Sequence, residues 1–225
     1  MSAPASPAPQ PFAESTPLGL LGLAIGCAAL LPVALGITMT PAALRTAAWF
    51  CLLFGGGCQM VAGLMALANK NLLGGTLFTT FAFNWVMNWW ALSSLSEGKI
   101  PDGHVILSVD ICFLLIFVVL TYAFAFFSKL LVAFLGDIVL LYLFRILREV
   151  LHAPAPFALP VALCTVVLAA IALWLAFAVL VNTSAGRPVF PVPGPLFMPT
   201  LPPAAPGDSS KLPGSPLGSG SVRAA

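Results

Sequence analysis

The sequence predicts an all-α membrane protein, a six-transmembrane-helix bundle followed by a disordered Pro-rich C-terminal tail. Three observations predict it. Hydrophobic residues make up 60% of the 225-residue chain and charged residues 7%, whereas soluble domains carry about 25% charged residues. Apolar runs recur six times between short polar turns, each near the roughly 20 residues a helix needs to cross about 30 Å of hydrocarbon. Beyond residue 185 the composition shifts to Pro, Gly and Ser, "GRPVFPVPGPLFMPTLPPAAPGDSS", which cannot bury a core. The mean hydropathy of +1.05 agrees. In lipid only helices and closed barrels satisfy their backbone groups, and runs without two-residue alternation indicate helices.

The N-terminal segment 1–16 has four prolines and no Lys or Arg. It lacks the basic start of a signal peptide, so the first apolar run is expected to stay as a helix. That run, 17–39, opens on Ser-Thr-Pro, a cap with proline in the first turn, and carries Pro32 as a possible kink. The second span, 41–68, ends at "NKN". The third, 71–95, reads "NLLGGTLFTTFAFNWVMNWW" at its start and ends at the turn "SEGKIPDGH". The fourth covers 104–127, Ser128-Lys129 separates it from the fifth, which runs to 151, and "HAPAPF" precedes the sixth at 158–181. The division is therefore 1–16 flexible, 17–184 membrane domain and 185–225 tail.

Six spans place both termini on one side. That side would hold Lys70, Lys129, Arg187, Lys211 and Arg223, against Arg45, Lys99, Arg145 and Arg148 on the other. The small excess favours a multi-pass cell-membrane protein with cytoplasmic termini. Net charge is +2 with basic residues scattered singly, which excludes a nucleic-acid-binding surface. The five cysteines all lie in apolar runs without a C-x-x-C pair and read as small packing residues. His104 and His152 flank turns and read as interfacial. No catalytic triad order, metal-ligand spacing or phosphate loop is present, so no enzyme, metal or cofactor is expected. Trp85, Trp89 and Trp90, near one end of their span, fit an aromatic belt facing membrane lipids. Gly22 and Gly26, and Gly55 with Gly63, mark close helix packing.

The third span carries the chemistry. Thr76, Thr80, Asn84 and Asn88 fall four apart, each step drifting about 40° around the helix, so they form one slanted polar stripe. Either it is interhelical glue, each bond contributing about 0.6 kcal/mol, or it is a ladder of donors that holds a small carboxylate weakly enough to release it. The Gly74-Gly75 start places a helix N-terminus at one mouth. Asp137 and Asp110 lie inside apolar spans, where carboxyls are costly and functional by default. Asp137 is the candidate for proton coupling or gating.

Three stretches resemble the acetate uptake transporter family of the succinate–acetate permease type: "TPLGLLGLAIG" at its opening, "FGGGCQMVAGLMALANKNLLGGTLFTTFAFNW" across the second and third spans, and "GRPVFPVPG" after the sixth. The resemblance implies a six-helix protomer, assembled as a homo-hexamer, with a path in each protomer for acetate and similar small monocarboxylates, and for the dicarboxylate succinate. It places a hydrophobic constriction at Leu23, Phe81 and Ile138, and it favours the donor-ladder reading of the stripe, with a substrate path along Thr76, Thr79, Thr80 and Asn84. Two positions depart from the family: Glu14 stands near the place of an Asn, and Asp137 adjoins the constriction. The expected function is thus proton-linked monocarboxylate transport. The alternatives are a channel for small neutral solutes of the urea or amide type, or a non-transporting scaffold whose Pro-rich tail recruits a partner.

Overall fold

The computed structural model describes residues 11–198. They form six helices: α1 (Thr16–Ala34), α2 (Pro41–Ala68), α3 (Leu72–Ser96), α4 (Gly103–Phe124), α5 (Lys129–Val150) and α6 (Pro154–Ala185). Short polar residues start most of them by accepting an orphan N–H. Thr40 takes Ala43 N at 3.2 Å, Asn71 takes Gly74 N at 2.9 Å, Asp102 takes Val105 N at 2.9 Å and Ser128 takes Leu130 N at 3.1 Å. Among the described residues, five helices are long and apolar enough to cross a membrane. The exception is α3, whose 25 residues suffice in length but whose Thr and Asn residues lower its hydropathy.

Several boundaries depart from expectation. The first helix ends at Ala34 rather than at 39, because Gly36 turns left-handed at φ 69° and Ile37 N closes back on Pro32 O at 2.9 Å. The sixth begins at Pro154, not 158, with proline in its first turn, and runs through Pro160. Within α2, Cys51–Cys58 is a π-helix. It contains three successive glycines, whose missing side chains leave the backbone free to widen.

Chain order alternates the helices across the bundle, so the start of α1, the α2–α3 and α4–α5 turns and the end of α6 share one side. There Phe12 N donates to Asn69 Oδ1 at 3.1 Å and Asn69 Nδ2 returns to Phe12 O at 3.0 Å. Packing runs α3–α2–α1–α6–α5–α4. Phe81 on α3 and Phe117 on α4 bring the two ends together, with ring centroids 5.2 Å apart. Glycines set the closest approaches: a Cβ on Gly22 would lie 2.5 Å from the Phe54 carbonyl oxygen. Because that neighbour is backbone, Gly22→Ala is expected to destabilise the fold by about 1–3 kcal/mol. Gly136→Ala, with nothing within 4 Å of the new carbon, is expected to be neutral or slightly stabilising by thermal unfolding in detergent.

Past α6 the chain is held to the bundle further than its composition suggests. Asn182 Oδ1 accepts from Val189 N and Phe190 N, and Asn182 Nδ2 donates to Phe190 O, at 2.8–2.9 Å. Trp174 Nε1 donates to Pro191 O at 3.1 Å, and Ser128 Oγ to Pro193 O at 2.8 Å. Lys129 N, Leu196 N and Phe197 N then bond across to Gly194 O and Ala125 O. The strap is thus fixed through its backbone groups and by two rings, Phe190 against Trp174 and Phe177, and Phe197 against Tyr122 and Phe126. The tail that begins at residue 185 therefore bonds to the bundle as far as Leu196 and Phe197; residues 199–225 lie outside the described residues. Asn182→Ala removes three bonds, each with a net contribution of about 1 kcal/mol. It is expected to make the 187–198 segment protease-sensitive while α6 stays intact.

Candidate functional site: a donor-lined vestibule

A cavity of about 190 Å³ lies on the side of the bundle away from the termini, walled by α1, α3, α5 and α6. On α3 its lining residues are Phe81, Asn84, Trp85 and Asn88, and on α5 Ile138, Leu141, Tyr142, Arg145 and Arg148. Steps of three and four residues put each set on one helix face. Phe81 and Ile138 are the deepest, and the amides and guanidinium groups lie toward the mouth. Thr165 joins from α6.

Most of this wall is apolar, and its few polar side chains are chiefly donors. Trp85 Nε1 and the Tyr142 hydroxyl are buried without a hydrogen-bond partner, a cost of about 1–3 kcal/mol for each group left unmade. The Arg145 guanidinium lies 5.4 Å from the Tyr142 ring centroid and pairs with Asp110 on α4 at 2.9 Å. Arg148 makes no ion pair among the described residues and leaves the mouth positive. Such a wall suits a small anion that can accept several hydrogen bonds.

The polar stripe divides. Asn84 and Asn88 line the cavity, whereas Thr76, Thr79 and Thr80 do not. Thr79 Oγ1 donates to Gly75 O of its own helix at 2.7 Å, and its methyl faces Gly63 on α2. Thr76 is exposed and Thr80 half-buried. The drift of about 40° per step separates the ends of the stripe by about 120°, which carries the threonines off the face shared by Phe81, Asn84 and Asn88. No stripe side chain bonds to another helix among the described residues; Asn88 Nδ2 also returns to its own helix, at Asn84 O, 3.0 Å. The glue reading therefore lacks its bonds.

Leu23, Phe81 and Ile138 are 0%, 5% and 0% exposed and belong to one buried cluster. Leu23 does not line the vestibule. Phe117, absent from the sequence reading, is fully buried in the same cluster, its ring 5.2 Å from that of Phe81 and 5.7 Å from that of Tyr142. Asp137 is buried beside Ile138 but outside the cavity lining. It faces the thiols of Cys164 on α6 and Cys27 on α1, and its Oδ2 has no partner.

Two expectations are corrected. Trp85 is not a belt residue: it is 3% exposed, and its indole fills the room left by Gly26 and Gly55. The α3 N-terminus is not an open anion site, because α3 starts at Leu72 and Asn71 already occupies Gly74 N–H. Glu14 is exposed and accepts Thr16 N at 3.0 Å, far in the chain from the vestibule wall. The sequence reading missed Tyr142, Arg145, Arg148 and Thr165 as site residues. The spacing 138, 141, 145, 148 along "IVLLYLFRILR" was the signal for the α5 face.

These features define a multi-pass, all-α helical membrane protein with a cavity walled by α1, α3, α5 and α6. The solved structure of the bacterial acetate channel SatP has the same fold: the TM-score is 0.72 at 20% sequence identity, covering 80% of this chain and 99% of that one. No family model matches the sequence, and no curated protein matches it.

Proposed function

We propose that this chain is a transmembrane channel or transporter for acetate and similar small monocarboxylates. The single observation that carries the reading is the vestibule, where the donors of Asn84, Asn88, Arg145 and Arg148 converge above Phe81 and Ile138. A carboxylate entering it exchanges water for amide and guanidinium donors, then crosses a short apolar neck of Leu23, Phe81 and Ile138, to which we add Phe117. Beyond the neck the proposed path runs past Thr80, Thr79 and Thr76 to the side of the termini. A cavity of about 190 Å³ holds roughly six waters at their liquid volume, enough for acetate with a partial hydration shell. The acetate-channel fold supports the same reading.

Cytoplasmic termini and a homo-hexamer are part of this proposal. The exposed apolar face of α4, with Val109, Leu115, Val118 and Val119, would lie against lipid or a neighbouring protomer. Proton linkage is assigned to Asp137, whose facing titratable groups are Cys27 and Cys164 and which has no ion pair among the described residues. If its neutral form is needed for an anion to pass, acetate flux rises as pH falls. Asp137→Asn is then expected to flatten that profile; an unaltered profile removes Asp137 from the mechanism.

The reading is tested by uptake of labelled formate, acetate, propionate and butyrate into proteoliposomes. The first three are expected to enter, with butyrate slower by about tenfold, a difference of about 1.4 kcal/mol in barrier. A series without dependence on chain length, or no uptake above empty vesicles, overturns it.

A further inference from the structure

Between α3 and α4 lies a second cavity of about 360 Å³, lined by Asn84, Asn88, Asp110 and Arg145 among mostly apolar residues. Asn84, Asn88 and Arg145 line both cavities, whereas Asp110 lines only this one. The Asp110–Arg145 pair therefore stands in the wall between the two spaces. The pair is bidentate: Arg145 Nη2 meets Asp110 Oδ1 at 2.9 Å, and Arg145 Nε meets Asp110 Oδ2 at 3.0 Å. The side chains are 23% and 8% exposed, and the Tyr142 ring supports the guanidinium from below. Glu149 packs against Gly103 at the start of α4, outside the vestibule lining.

Resting on the transport reading above, we propose that Asp110 is a positioning residue that acts through Arg145 to set how tightly a passing carboxylate is held. It occupies the carboxylate-binding fork of the guanidinium, so that a passing carboxylate is attracted to the wall without being trapped there. An unoccupied guanidinium in a poorly hydrated cavity would bind a carboxylate in the same bidentate fashion, which is among the strongest hydrogen-bonding arrangements available. Conduction requires binding favourable enough for entry and weak enough for release. Asp110 meets this by offering the internal carboxylate first, leaving the other N–H groups of Arg145 for the vestibule. Arg148, exposed one turn further out, supplies the unneutralised charge that draws the anion to the mouth.

Three variants test the assignment, with labelled acetate uptake read as half-saturating concentration and maximal flux per folded protomer. Asp110→Asn frees the fork. The half-saturating concentration is expected to fall about tenfold or more as charge-assisted bidentate binding becomes available, with maximal flux falling alongside. Removing only Arg145 would strand a buried carboxylate, so the paired variant Asp110→Asn/Arg145→Gln keeps an uncharged match at the same place. It is expected to fold, and its half-saturating concentration should rise above that of the unaltered protein. Arg148→Gln is expected to lower flux at low ionic strength and to weaken the salt dependence of the rate. A pair that only clasps α4 to α5 predicts lower thermal stability in Asp110→Asn with an unchanged half-saturating concentration, and that result overturns the proposal. Failure of the unaltered protein to transport acetate would instead overturn the transport reading on which it rests.

Discussion

Asn84→Leu is expected to slow acetate flux at least tenfold while the protein assembles normally. The amide lines the vestibule directly above Phe81 and makes no side-chain bond to another helix among the described residues, so its loss removes no helix–helix tie. It does remove a donor where a carboxylate has already shed part of its water. Leaving a charged group short of one bond costs about 1–3 kcal/mol, which is roughly tenfold to a hundredfold in rate. Asn88→Leu, nearer the mouth, is expected to act in the same direction and less strongly. Thr79→Val provides the contrast: Thr79 borders the proposed path, but its hydroxyl proton is already given to Gly75 O and none is left for a passing carboxylate, so its flux is expected to stay within about twofold of the unaltered rate, a change under 0.5 kcal/mol. Equal losses at Asn84 and Thr79, measured as initial uptake per folded protomer, would disconnect the vestibule from transport.

Phe81→Ala is expected to admit larger acids. Phe81 is 5% exposed, with its ring 5.2 Å from that of Phe117 and 6.1 Å from that of Trp85. Removing it opens the neck on the face toward Ile138. Butyrate flux relative to acetate is expected to rise about tenfold, the equivalent of 1.4 kcal/mol of relieved barrier. The same truncation costs stability, about 3–5 kcal/mol for a buried Phe→Ala. Phe81→Leu, which keeps more of the packing, is the companion variant and should shift the ratio in the same direction by less. A butyrate-to-acetate ratio unchanged in both variants would place the narrowest point elsewhere.

The helices were legible because their causes are local. Apolar length, the Ser-Thr-Pro start of the first span and the polar turns between spans are all read within a few residues; the start of α6 was not, because Pro154 opens the helix inside "HAPAPF", which reads as a break. The end of α1 was not, since "LGIT" reads as apolar chain until Gly36 takes a left-handed turn. The π-helix at Cys51–Cys58 leaves no signal in hydropathy. Nor do the backbone bonds that hold the strap, because carbonyl groups have no residue identity.

The site was half legible for a related reason. Polar residues at four-residue spacing were visible on α3, but only the partners on α5 and α6 decide which part of the stripe faces a cavity. Asp110 and Arg145 are 35 residues apart on different helices, so a search along one helix could not pair them. Trp85 looked like a belt residue because its neighbours Trp89 and Trp90 sit near the helix end. Gly26 and Gly55, on two other helices, make the room that buries it. Spacing along one helix shows which residues share a face; what that face meets is a property of the bundle.

The most direct test of the account is the uptake of labelled acetate and labelled urea, side by side, into the same proteoliposomes. A vestibule with Arg148 at its mouth and guanidinium and amide donors along its wall favours an anionic acceptor over a neutral amide. Acetate is expected to enter at least about tenfold faster than urea, the rate equivalent of a 1.4 kcal/mol preference, and to lose that advantage in the Asn84→Leu protein. Urea entering as fast as acetate, with the ratio unaffected by Asn84→Leu, would contradict the assignment of this vestibule to carboxylates.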